Sequence, residues 1–478
     1  MKKFKEFTIN EASRVYDKTV SPVHVSSRLP KRKGEDKKNI NPHTLTGPNS
    51  VSVQQSVMSD DPEEHKTLGS LVTKLRAPTR SIPKTVKGVK SREDIPTYPN
   101  MNPEMLAIKD PHTLVARVGD QVERNVEWSL DRAETIHELA ARSQQWYVGA
   151  HKIAGHLAKR FNVPHHVAAA VLATQSPQKD WYQNVSLAER ILKIHHSQQN
   201  TAWSPEMEKI SSKVFSKDSS NHQSLLSAIR GKTLGELTTT KHKAAWIRAY
   251  DEGHHARHHR YITPEGDFGE HVTNQGKNKK RTATGWGGFG SIGKAITAIE
   301  SGGDVEKISG TLGNQHKVRS FYNNIAQPNS PIGDVTIDTH ATGNALGRYS
   351  LSGKSPEVHD VLGGSPRSSR TGMAGTYPLM ATAFRNVAAR RNLIPNAVQS
   401  VVWDERRATA ATIPQKRAID MNWEKFRAGA MSHEEVLASM SHILGKAKKP
   451  SWADAKTNRN IVSTFESVKH RQTFKDFL

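Results

Sequence analysis

The sequence predicts an all-α fold, and three observations support this prediction. From about residue 125 onward, apolar residues recur at spacings of three and four, the period of an amphipathic helix. Very few stretches alternate apolar and polar residues as half-buried strands do. Residues 1–105 mix Lys and Arg clusters with Pro, Ser, Thr and Asn and show little periodicity, which is typical of a largely disordered basic arm. We therefore predict a helical domain over residues 125–410, preceded by this arm and followed by a helical extension over residues 411–478.

The first helices of the domain follow from the apolar pattern and from proline signals. Residues 163–175 are apolar around most of the helix circumference, which predicts a buried central helix, and Pro164 suits its first turn. Ser176 should end this helix, because the residue before a proline is biased away from the α region. Three more helices are predicted over residues 126–140, 146–161 and 180–194.

The second half of the domain is also helical, with two interruptions. A polar, Gly-rich and basic insertion occupies about residues 253–290, and residues 350–372 form a loop rich in Gly, Ser and Pro. Further helices are predicted over residues 242–250, 291–301, 317–325, 377–407 with a break at 393–395, 416–447 and 458–475.

The charge balance of the chain indicates a polyanionic partner. Lys and Arg number 69 against 46 acidic residues, which gives a formal net charge of +23. Such an excess favours nucleic acid, so DNA is the predicted partner. The sequence has no apolar run long enough to span a bilayer and no signal-peptide core near its start, so no membrane association is expected. The oligomeric state is left open.

Cysteine and histidine usage limits the chemistry that the chain can perform. The sequence has no Cys, which excludes disulfides, thiolate catalysis, cysteine zinc sites and iron–sulfur clusters. Histidine pairs between His254 and His259 could share a metal ion if they lay on one helix. However, no carboxylate follows at ligand spacing, and Arg257 and Arg260 would repel a cation. A basic, partly protonated surface is the preferred interpretation, and no metal or cofactor is expected.

The segment 334–340 places an acid, a hydroxyl and an imidazole at the end of a short apolar run. Its Asp338 suits two roles. As the N-cap of a following helix, it would accept hydrogen bonds from free backbone N–H groups. As a carboxylate with Lys317 one helix upstream, it could stabilise a developing cation or activate a nucleophile.

Residues 170–176, 243–247, 312–318 and 335–340 form four blocks in a fixed order. The first is an apolar helix ending in a glutamine-bearing loop, the second a Lys-Ala helix, the third a Leu-Gly turn before a lysine, and the fourth reads Val-Thr-Ile-Asp-Thr-His. This order resembles the helix-hairpin-helix DNA glycosylase superfamily, which includes endonuclease III. The last block is similar to the family's Val-Asp-Thr-His, and the resemblance covers about residues 165–350.

The resemblance implies a helix-hairpin-helix glycosylase-like helical domain in which Asp338 is the catalytic carboxylate. Breaking an N-glycosidic bond builds positive charge on the sugar, which a fixed carboxylate stabilises. Lys317 either attacks C1′ as an uncharged amine or binds a phosphate, and both alternatives stay open. The hairpin departs from the family pattern because it lacks a proline and has Gln315 where the second glycine belongs. The glycines of residues 285–290 are an alternative phosphate-binding turn.

The resemblance and the basic segments together predict a set of DNA contacts. Access to a base requires flipping, and Gln175, or Gln178 as a second candidate, could fill the vacated space. The alternative for Gln175 is an ordinary glutamine at a helix C-cap. The predicted DNA-binding residues are Gln175, Gln178, Lys179, Lys279, Lys280, Arg281, Gly313, His316, Arg319, His340 and Arg406.

Aromatic side chains add candidates for stacking on a base. One helix, over residues 395–407, carries Gln399, Trp403 and Arg406 or Arg407 on a shared face, which is either a nucleic-acid contact or a buried tryptophan flanked by surface arginines. The other stacking candidates are Trp181, Tyr182, Trp286, Phe289 and Tyr322, whereas Phe321 and Trp246 are expected in the core.

These features predict a DNA base-excision enzyme that cleaves the N-glycosidic bond of a base or modified base, with water or Lys317 as the nucleophile. One alternative is a phage enzyme that hypermodifies thymine derivatives in DNA. Another is a DNA-binding or virion protein that keeps the scaffold without the chemistry. Residues 2–12 are similar to the openings of tailed-phage proteins, which implies a protein of the bacterial host cytoplasm or the virion. The base that is recognised is left open.

Overall fold

The computed structural model describes residues 98–215, 222–274, 280–312, 316–329, 334–362, 376–458, 460, 461, 463 and 464. The predicted basic arm lies outside the described residues up to position 97. Over the described residues the protein is mostly helical, with a single two-stranded hairpin, so the all-α prediction is confirmed. Within this part of the chain no helix is both long and apolar enough to cross a membrane.

The described helices and strands follow one another in a simple order. They are α1 (Pro103–Ala107), α2 (Pro111–Glu134), α3 (His137–Ser143), α4 (Trp146–Phe161), α5 (His165–Thr174), α6 (Trp181–Ser197), α7 (Pro205–Phe215), α8 (His222–Ile229), α9 (Thr240–His254), β1 (Arg260–Ile262), β2 (Phe268–His271), α10 (Phe289–Glu300), α11 (Val305–Leu312), α12 (His316–Ala326), α13 (Thr339–Ala345), α14 (Pro356–Val361), α15 (Tyr377–Arg390), α16 (Pro395–Thr409), α17 (Ile413–Arg427) and α18 (His433–Leu444).

Contacts between residues divide the chain into two compact units. Unit 1 comprises Met1–Val148 and Leu312–Ala453, and unit 2 comprises Gly149–Thr311 and Asp454–Leu478. The predicted division was different, with a single domain over residues 125–410. Each unit therefore combines segments that are far apart in sequence.

Helix α2 is the centre of unit 1. Asp110 accepts a hydrogen bond from the backbone N–H of Thr113 over 2.7 Å, and Pro111 occupies the first helical position, so the N-terminus is well defined. The helix packs against α3, α13, α15, α16 and α18. It begins at Pro111, well before residue 126, where the sequence predicted its start, because its buried apolar stripe already starts at Leu114. The buried stripe consists of Leu114, Val115, Val118, Val122, Val126, Leu130 and Ala133.

Both ends of the described part of unit 1 belong to its core. Tyr98 and Met101, which the sequence assigned to the arm, are each 1% exposed. Helices α17 and α18 pack against each other, and their Trp423 and Met440 are buried in the same cluster. The Trp423 indole N–H donates to the Gly347 carbonyl over 2.9 Å. Residues 98–105 and 411–444 therefore help to build unit 1.

Helix α5 is the buried centre of unit 2, as the sequence predicted. Its residues 167–174 are all buried, and it packs against α6 and α10. Helix α9 packs against α7, α8 and α10, so the region around residues 205–229, whose order the sequence did not settle, contributes helices to this unit. Helix α9 ends at His254, which means that the histidines of residues 254–259 do not share one helical face.

The basic insertion of unit 2 contains an antiparallel hairpin that the sequence did not predict. Strand β1 pairs with β2, and the C-terminal residues extend this small sheet, since the Asn458 N–H donates to the Phe268 carbonyl over 3.0 Å. The described residues of the predicted helix 458–475 are consequently not helical. The remainder of that predicted helix lies outside the described residues.

Candidate functional site

Asp338 lies where a buried extended segment becomes helix α13 of unit 1. Val335 and Ile337 are fully buried, and the Tyr377 hydroxyl holds this segment by donating to the Val335 carbonyl over 2.8 Å and accepting from the Ile337 N–H over 3.0 Å. The Oδ1 atom of Asp338 accepts hydrogen bonds from the N–H groups of His340 and Ala341, each over 2.9 Å. Asp338 is therefore the N-cap of α13, which confirms the first of its two predicted roles.

The second oxygen of the same carboxylate binds a tryptophan. The indole Nε1–H of Trp403, on α16, donates to Oδ2 of Asp338 over 3.2 Å. Three N–H donors thus hold the carboxylate in one orientation, and the helix N-terminus favours its negative charge. A carboxylate fixed in this way needs no rearrangement before it stabilises a developing positive charge.

Aromatic and cationic side chains surround Trp403, which is partly exposed. The centroid of the Trp146 ring lies 6.0 Å from that of Trp403, and the His340 ring lies 5.9 Å away at a near-perpendicular angle of 86°. The guanidinium of Arg407 stacks on Trp403 at 4.6 Å. Carboxylate, indole, imidazole and guanidinium therefore meet in one place.

Lys317 lies in the first turn of α12 and is partly buried. Burial lowers the pKa of its amine from the ordinary lysine value, while the nearby charge of Asp338 opposes that shift. The pKa of His340 is also lowered by burial, again against the effect of Asp338. Burial thus lowers the pKa of both the Lys317 amine and the His340 imidazole, beside a carboxylate held in one orientation.

Beneath Asp338 lies a buried polar cluster in which Gln399 takes part. The Tyr147 hydroxyl donates to Oε1 of Gln399 over 2.7 Å, and the Asn324 amide donates to the Thr336 hydroxyl over 3.0 Å. Burial raises the pKa of Tyr147 well above its usual value. Gln399 is 5% exposed, so the expectation that it contacts nucleic acid is wrong for this side chain in the described structure. Its amide oxygen instead joins α16 to Tyr147 of α4.

Two predicted DNA-binding arginines of unit 1 are buried. Arg406 is 6% exposed, stacks on the Tyr349 ring at 4.5 Å and donates to the Arg348 carbonyl. Arg319 is fully buried. Both side chains lie in the interior of unit 1 instead of facing solvent. On α16 it is Arg407 that is partly exposed, because the helix turns by about 100° per residue.

The remaining predicted contacts of unit 1 lie around the connection between α11 and α12. His316 begins α12, and Gly313 lies outside the described residues.

Gln175 of unit 2 is buried and hydrogen-bonded. It is the C-cap of α5, it is 2% exposed, and its amide donates to the Ser291 carbonyl over 2.8 Å. The alternative interpretation of this glutamine, an ordinary helix C-cap, is the one that the structure shows. Gln178 is exposed in the loop that follows, with φ 59°, and Lys179 is partly buried with its pKa lowered by burial.

Basic residues of the insertion in unit 2 are accessible. Lys280 and Arg281 are exposed on an extended arm, in which Thr273 pairs with Arg281 and the Asn274 N–H donates to the Lys280 carbonyl over 2.9 Å. Lys279 lies outside the described residues. Among the predicted contacts of unit 2, Lys280, Arg281 and Gln178 are therefore the ones that can meet a partner without a rearrangement.

The predicted stacking residues are buried, which corrects that expectation. The Trp286 indole donates to the Asp251 carboxylate over 3.0 Å, so the neighbouring glycines did not indicate exposure of this side chain. All five candidates, Trp181, Tyr182, Trp286, Phe289 and Tyr322, are 9% exposed or less.

A comparison with known protein families gives one match. The model of DUF7178, described as a family of unknown function, matches residues 112–225 and 271–409, which is just over half of the chain. The chain belongs to this family. No curated protein and no solved structure matches it. The DUF7178 ranges include Lys317, Asp338 and Trp403, whereas Lys243 lies in the unmatched stretch between them.

Sequence reasoning missed Trp146 as part of this site. Trp146 begins α4, and its ring centroid lies 5.9 Å from that of Phe321 as well as close to Trp403. In the sequence it is one apolar residue of a regular helical pattern. Only the partial exposure of its ring distinguishes it from the core residues that share that pattern.

A separate cleft of about 700 Å³ in unit 1 contains none of the predicted site residues. It lies between α1, α2 and the start of α18. Its Arg124 forms an ion pair with Glu434, and Glu435 serves as the capping-box partner of Ser432. Arg124, Glu434 and Glu435 are therefore engaged in contacts that hold these helices.

Proposed function

We propose that this protein binds DNA and cleaves the N-glycosidic bond of a base or modified base, with Asp338 as the catalytic carboxylate. The observation that supports this best is the pairing of a fixed acid with a buried amine. Three N–H donors orient the Asp338 carboxylate, and Lys317, whose pKa is lowered by burial, lies within the field of that charge.

The proposed reaction requires a group that stabilises positive charge and a nucleophile that attacks the sugar. As the bond between C1′ and the base breaks, the base leaves with the bonding electrons, and positive charge develops on the sugar. Asp338 stabilises that charge by proximity. Water then adds to C1′ and loses a proton to the carboxylate. In the alternative route, the uncharged amine of Lys317 adds to C1′, its proton passes to the ring oxygen O4′, and the C1′–O4′ bond breaks to leave a Schiff base. A lysine charged at neutral pH could not attack, so the lowered pKa favours the second route.

The rings around Asp338 supply a surface for the base. Trp146 and Trp403 are partly exposed, so a flipped base could stack on either indole. Flipping the base out of the duplex costs free energy, and this stacking would offset part of that cost. Arg407 lies on the face of Trp403 and could hold the phosphate of the same nucleotide.

The test uses Asp338→Asn and a set of modified duplexes. The substitution keeps an oxygen for the N-cap bonds and removes the charge. DNA carrying uracil, hydroxymethyluracil, oxidised, alkylated or hypermodified thymine bases is incubated with the enzyme, and abasic sites are counted. We expect release of one of these bases, reduced at least a hundredfold in Asp338→Asn. Asp110→Asn, the same change at the N-cap of α2, is the control and should leave release unchanged.

Lys317 is tested by trapping. Borohydride should reduce a Schiff base to a stable protein–DNA adduct, and Lys317→Ala should abolish the adduct. Lys354→Ala, which removes an exposed lysine of the same unit, should not. Base release that persists without any adduct assigns the attack to water. Base release that is undiminished in Asp338→Asn contradicts the proposed role of Asp338.

A second candidate function is DNA binding without catalysis on the same scaffold. The exposed Lys280 and Arg281 favour binding, whereas Gln175, which was expected to fill the space left by a flipped base, is buried. This candidate predicts steeply salt-dependent binding and no product from any of the duplexes.

A further inference from the structure

Residues 445–452, called here the lysine segment, join helix α18 to the end of unit 1. Lys446, Lys448 and Lys449 are exposed, whereas Trp452 is 4% exposed. The segment has no regular helix or strand before the turn at residue 451. Among the described residues, none of the three lysines has an ion pair or side-chain hydrogen bond. Three ammonium groups are therefore available at the surface.

The segment is anchored at both ends, unlike an ordinary lysine-rich loop. At its start, Nη1 of Arg132 donates to the Gly445 carbonyl over 2.7 Å, while Nε of the same side chain pairs with Glu405 over 3.0 Å. At its end, the Trp452 indole donates to Oδ2 of Asp404 over 3.2 Å, and the guanidinium of Arg142 stacks on the ring at 4.6 Å.

Both anchors lead to the same turn of α16. Glu405 and Asp404 are consecutive residues, and they directly follow Trp403, which binds Asp338. The same helix presents Arg407, which is partly exposed. The lysine segment is thus held against the helix that supports the candidate catalytic carboxylate.

The spacing of the lysines fits a phosphate backbone. A fully extended chain advances about 3.3 Å per residue, so the backbone positions of Lys446 and Lys449 lie at most about 10 Å apart. The flexible side chain of each lysine extends its reach beyond the backbone. The three ammonium groups can therefore contact up to about three neighbouring phosphates of DNA. Anchoring the segment lowers the entropy lost when the lysines bind.

We propose that the lysine segment is a binding surface for the backbone phosphates of DNA, and that the Trp452–Asp404 contact sets its position. This inference rests on the proposed function only in that the partner is DNA. It adds residues that lie outside both matched ranges of the family model.

The first test compares two triple variants in the full-length protein. Lys446→Gln, Lys448→Gln and Lys449→Gln together remove the clustered charge. Lys109→Gln, Lys354→Gln and Lys425→Gln remove the same charge from scattered, exposed positions of unit 1. We expect the clustered variant to weaken duplex binding about tenfold or more at 0.15 M salt and to lower the slope of log K against log salt by about 2 to 3. Equal effects of the two variants would overturn the proposal.

The same titrations separate this inference from the proposed function. If the clustered lysines matter for binding and no base is ever released, the lysine segment stands and the enzymatic proposal fails. If Asp338→Asn abolishes base release while the clustered variant binds normally, only the segment is wrong. At saturating DNA the clustered variant should release the base at the wild-type rate.

The second test removes the anchor. Trp452→Phe keeps the ring for Arg142 and deletes the N–H donor to Asp404. We expect it to weaken DNA binding about threefold. When it is combined with the clustered variant, binding should weaken by less than the product of the two separate factors. Trp203→Phe, which deletes an indole N–H bonded to Glu208 over 3.0 Å in unit 2, is the control. If the two effects simply multiply, the Trp452–Asp404 contact does not position the lysines.

Discussion

The indole N–H of Trp403 donates a hydrogen bond to Oδ2 of Asp338 over 3.2 Å, and this contact ties α16 to the first turn of α13. The same carboxylate caps α13 through its other oxygen. An N-cap needs only one oxygen, so the bond from Trp403 serves to orient the group rather than to build the helix.

Trp403→Phe should therefore lower the rate of base release without weakening DNA binding. A hydrogen bond to a charged group contributes about 1.5 to 3 kcal/mol, and the loss of part of this orientation should slow single-turnover release about tenfold. The aromatic face that Arg407 contacts is kept, so KM should change little while kcat falls.

The matched control is Trp128→Phe, which removes an indole hydrogen bond elsewhere in unit 1. Its kcat and KM should both equal those of the wild type. A Trp403→Phe variant in which KM rises and kcat is unchanged would show that Trp403 binds substrate instead of positioning Asp338.

The lowered pKa of Lys317 predicts how Schiff-base formation depends on pH. An abasic duplex isolates this step, because the amine reacts with the sugar aldehyde and no base has to leave. Only the uncharged amine reacts, so the adduct trapped by borohydride should reach half its maximum below the pH at which ordinary lysine loses its proton.

Asp338→Asn tests whether the carboxylate acts on the pKa of this lysine. The carboxylate raises the pKa of Lys317, so its removal should move the trapping curve to lower pH. No shift would mean that the two groups do not interact, and a shift to higher pH would contradict the described effect of the carboxylate. Lys317→Ala should give no adduct at any pH.

The sequence predicted the helical class, the buried helix α5 and the N-cap role of Asp338, because each depends on local patterns. An apolar run of seven residues predicts a buried helix, and an Asp-Thr pair before a helix predicts an N-cap. The partner of Asp338 could not be predicted in this way. Trp403 is distant in sequence, and the pattern of α16 placed it on one face with Gln399, which is buried.

Burial of polar residues was the main source of wrong predictions. A glutamine such as Gln175 or an arginine such as Arg406 is usually at the surface, so a basic helix or loop suggests contact with a polyanion. Here both side chains satisfy carbonyl groups inside the protein. Which polar residue is enclosed depends on packing between segments that are far apart in sequence, here by 116 and 58 residues, and the local apolar pattern does not indicate it.

Asp404 and His433 should make opposite contributions to stability between about pH 4 and pH 6. Burial raises the pKa of Asp404 to about 6, from about 3.9 in an unfolded chain, so its contribution falls as the pH rises through this range. Burial, with a contribution from Arg124, lowers the pKa of His433 to about 4, from about 6.5 when unfolded, so its contribution rises over the same range.

Single substitutions should separate these opposing slopes. Relative to the wild type, Asp404→Asn should gain about 2 to 3 kcal/mol between pH 4 and pH 7, and His433→Gln should lose a similar amount. Chemical denaturation at each pH measures both differences, and other titrating groups cancel in the comparison with the wild type. Parallel curves for the wild type and either variant would show that its residue does not titrate as described.

Gly343→Ala should destabilise unit 1 because α13 and α16 approach closely at this glycine. A Cβ at this position would overlap the guanidinium of Arg406, which cannot withdraw easily since it is enclosed and stacked on Tyr349. The cost should be about 1 to 3 kcal/mol, less the gain of about 1 kcal/mol that Ala brings to a helix. In an Arg406→Leu background the cost of Gly343→Ala should fall. An unchanged cost in that background would locate the strain elsewhere.

Glu189→Gln should release the C-terminal residues of unit 2 from their docking site. Glu189 is fully buried, pairs with Arg160, and accepts hydrogen bonds from the Thr464 N–H over 2.7 Å and from the hydroxyls of Ser463 and Thr464. The amide of glutamine would place a donor opposite two of these donors. Because Arg160 is partly exposed, the cost comes mainly from the hydrogen bonds to the buried charge and should be about 1.5 to 3 kcal/mol.

The measurement is limited trypsin digestion followed in parallel with thermal unfolding. If the C-terminal residues undock locally, cleavage after Lys456 should accelerate about a hundredfold while the Tm falls by only a few degrees, since local opening costs less than global unfolding. Glu208→Gln removes an exposed partner of Arg230 in the same unit and should change neither quantity measurably. A fall in Tm without faster cleavage would mean that Glu189 stabilises unit 2 as a whole rather than its C-terminal segment.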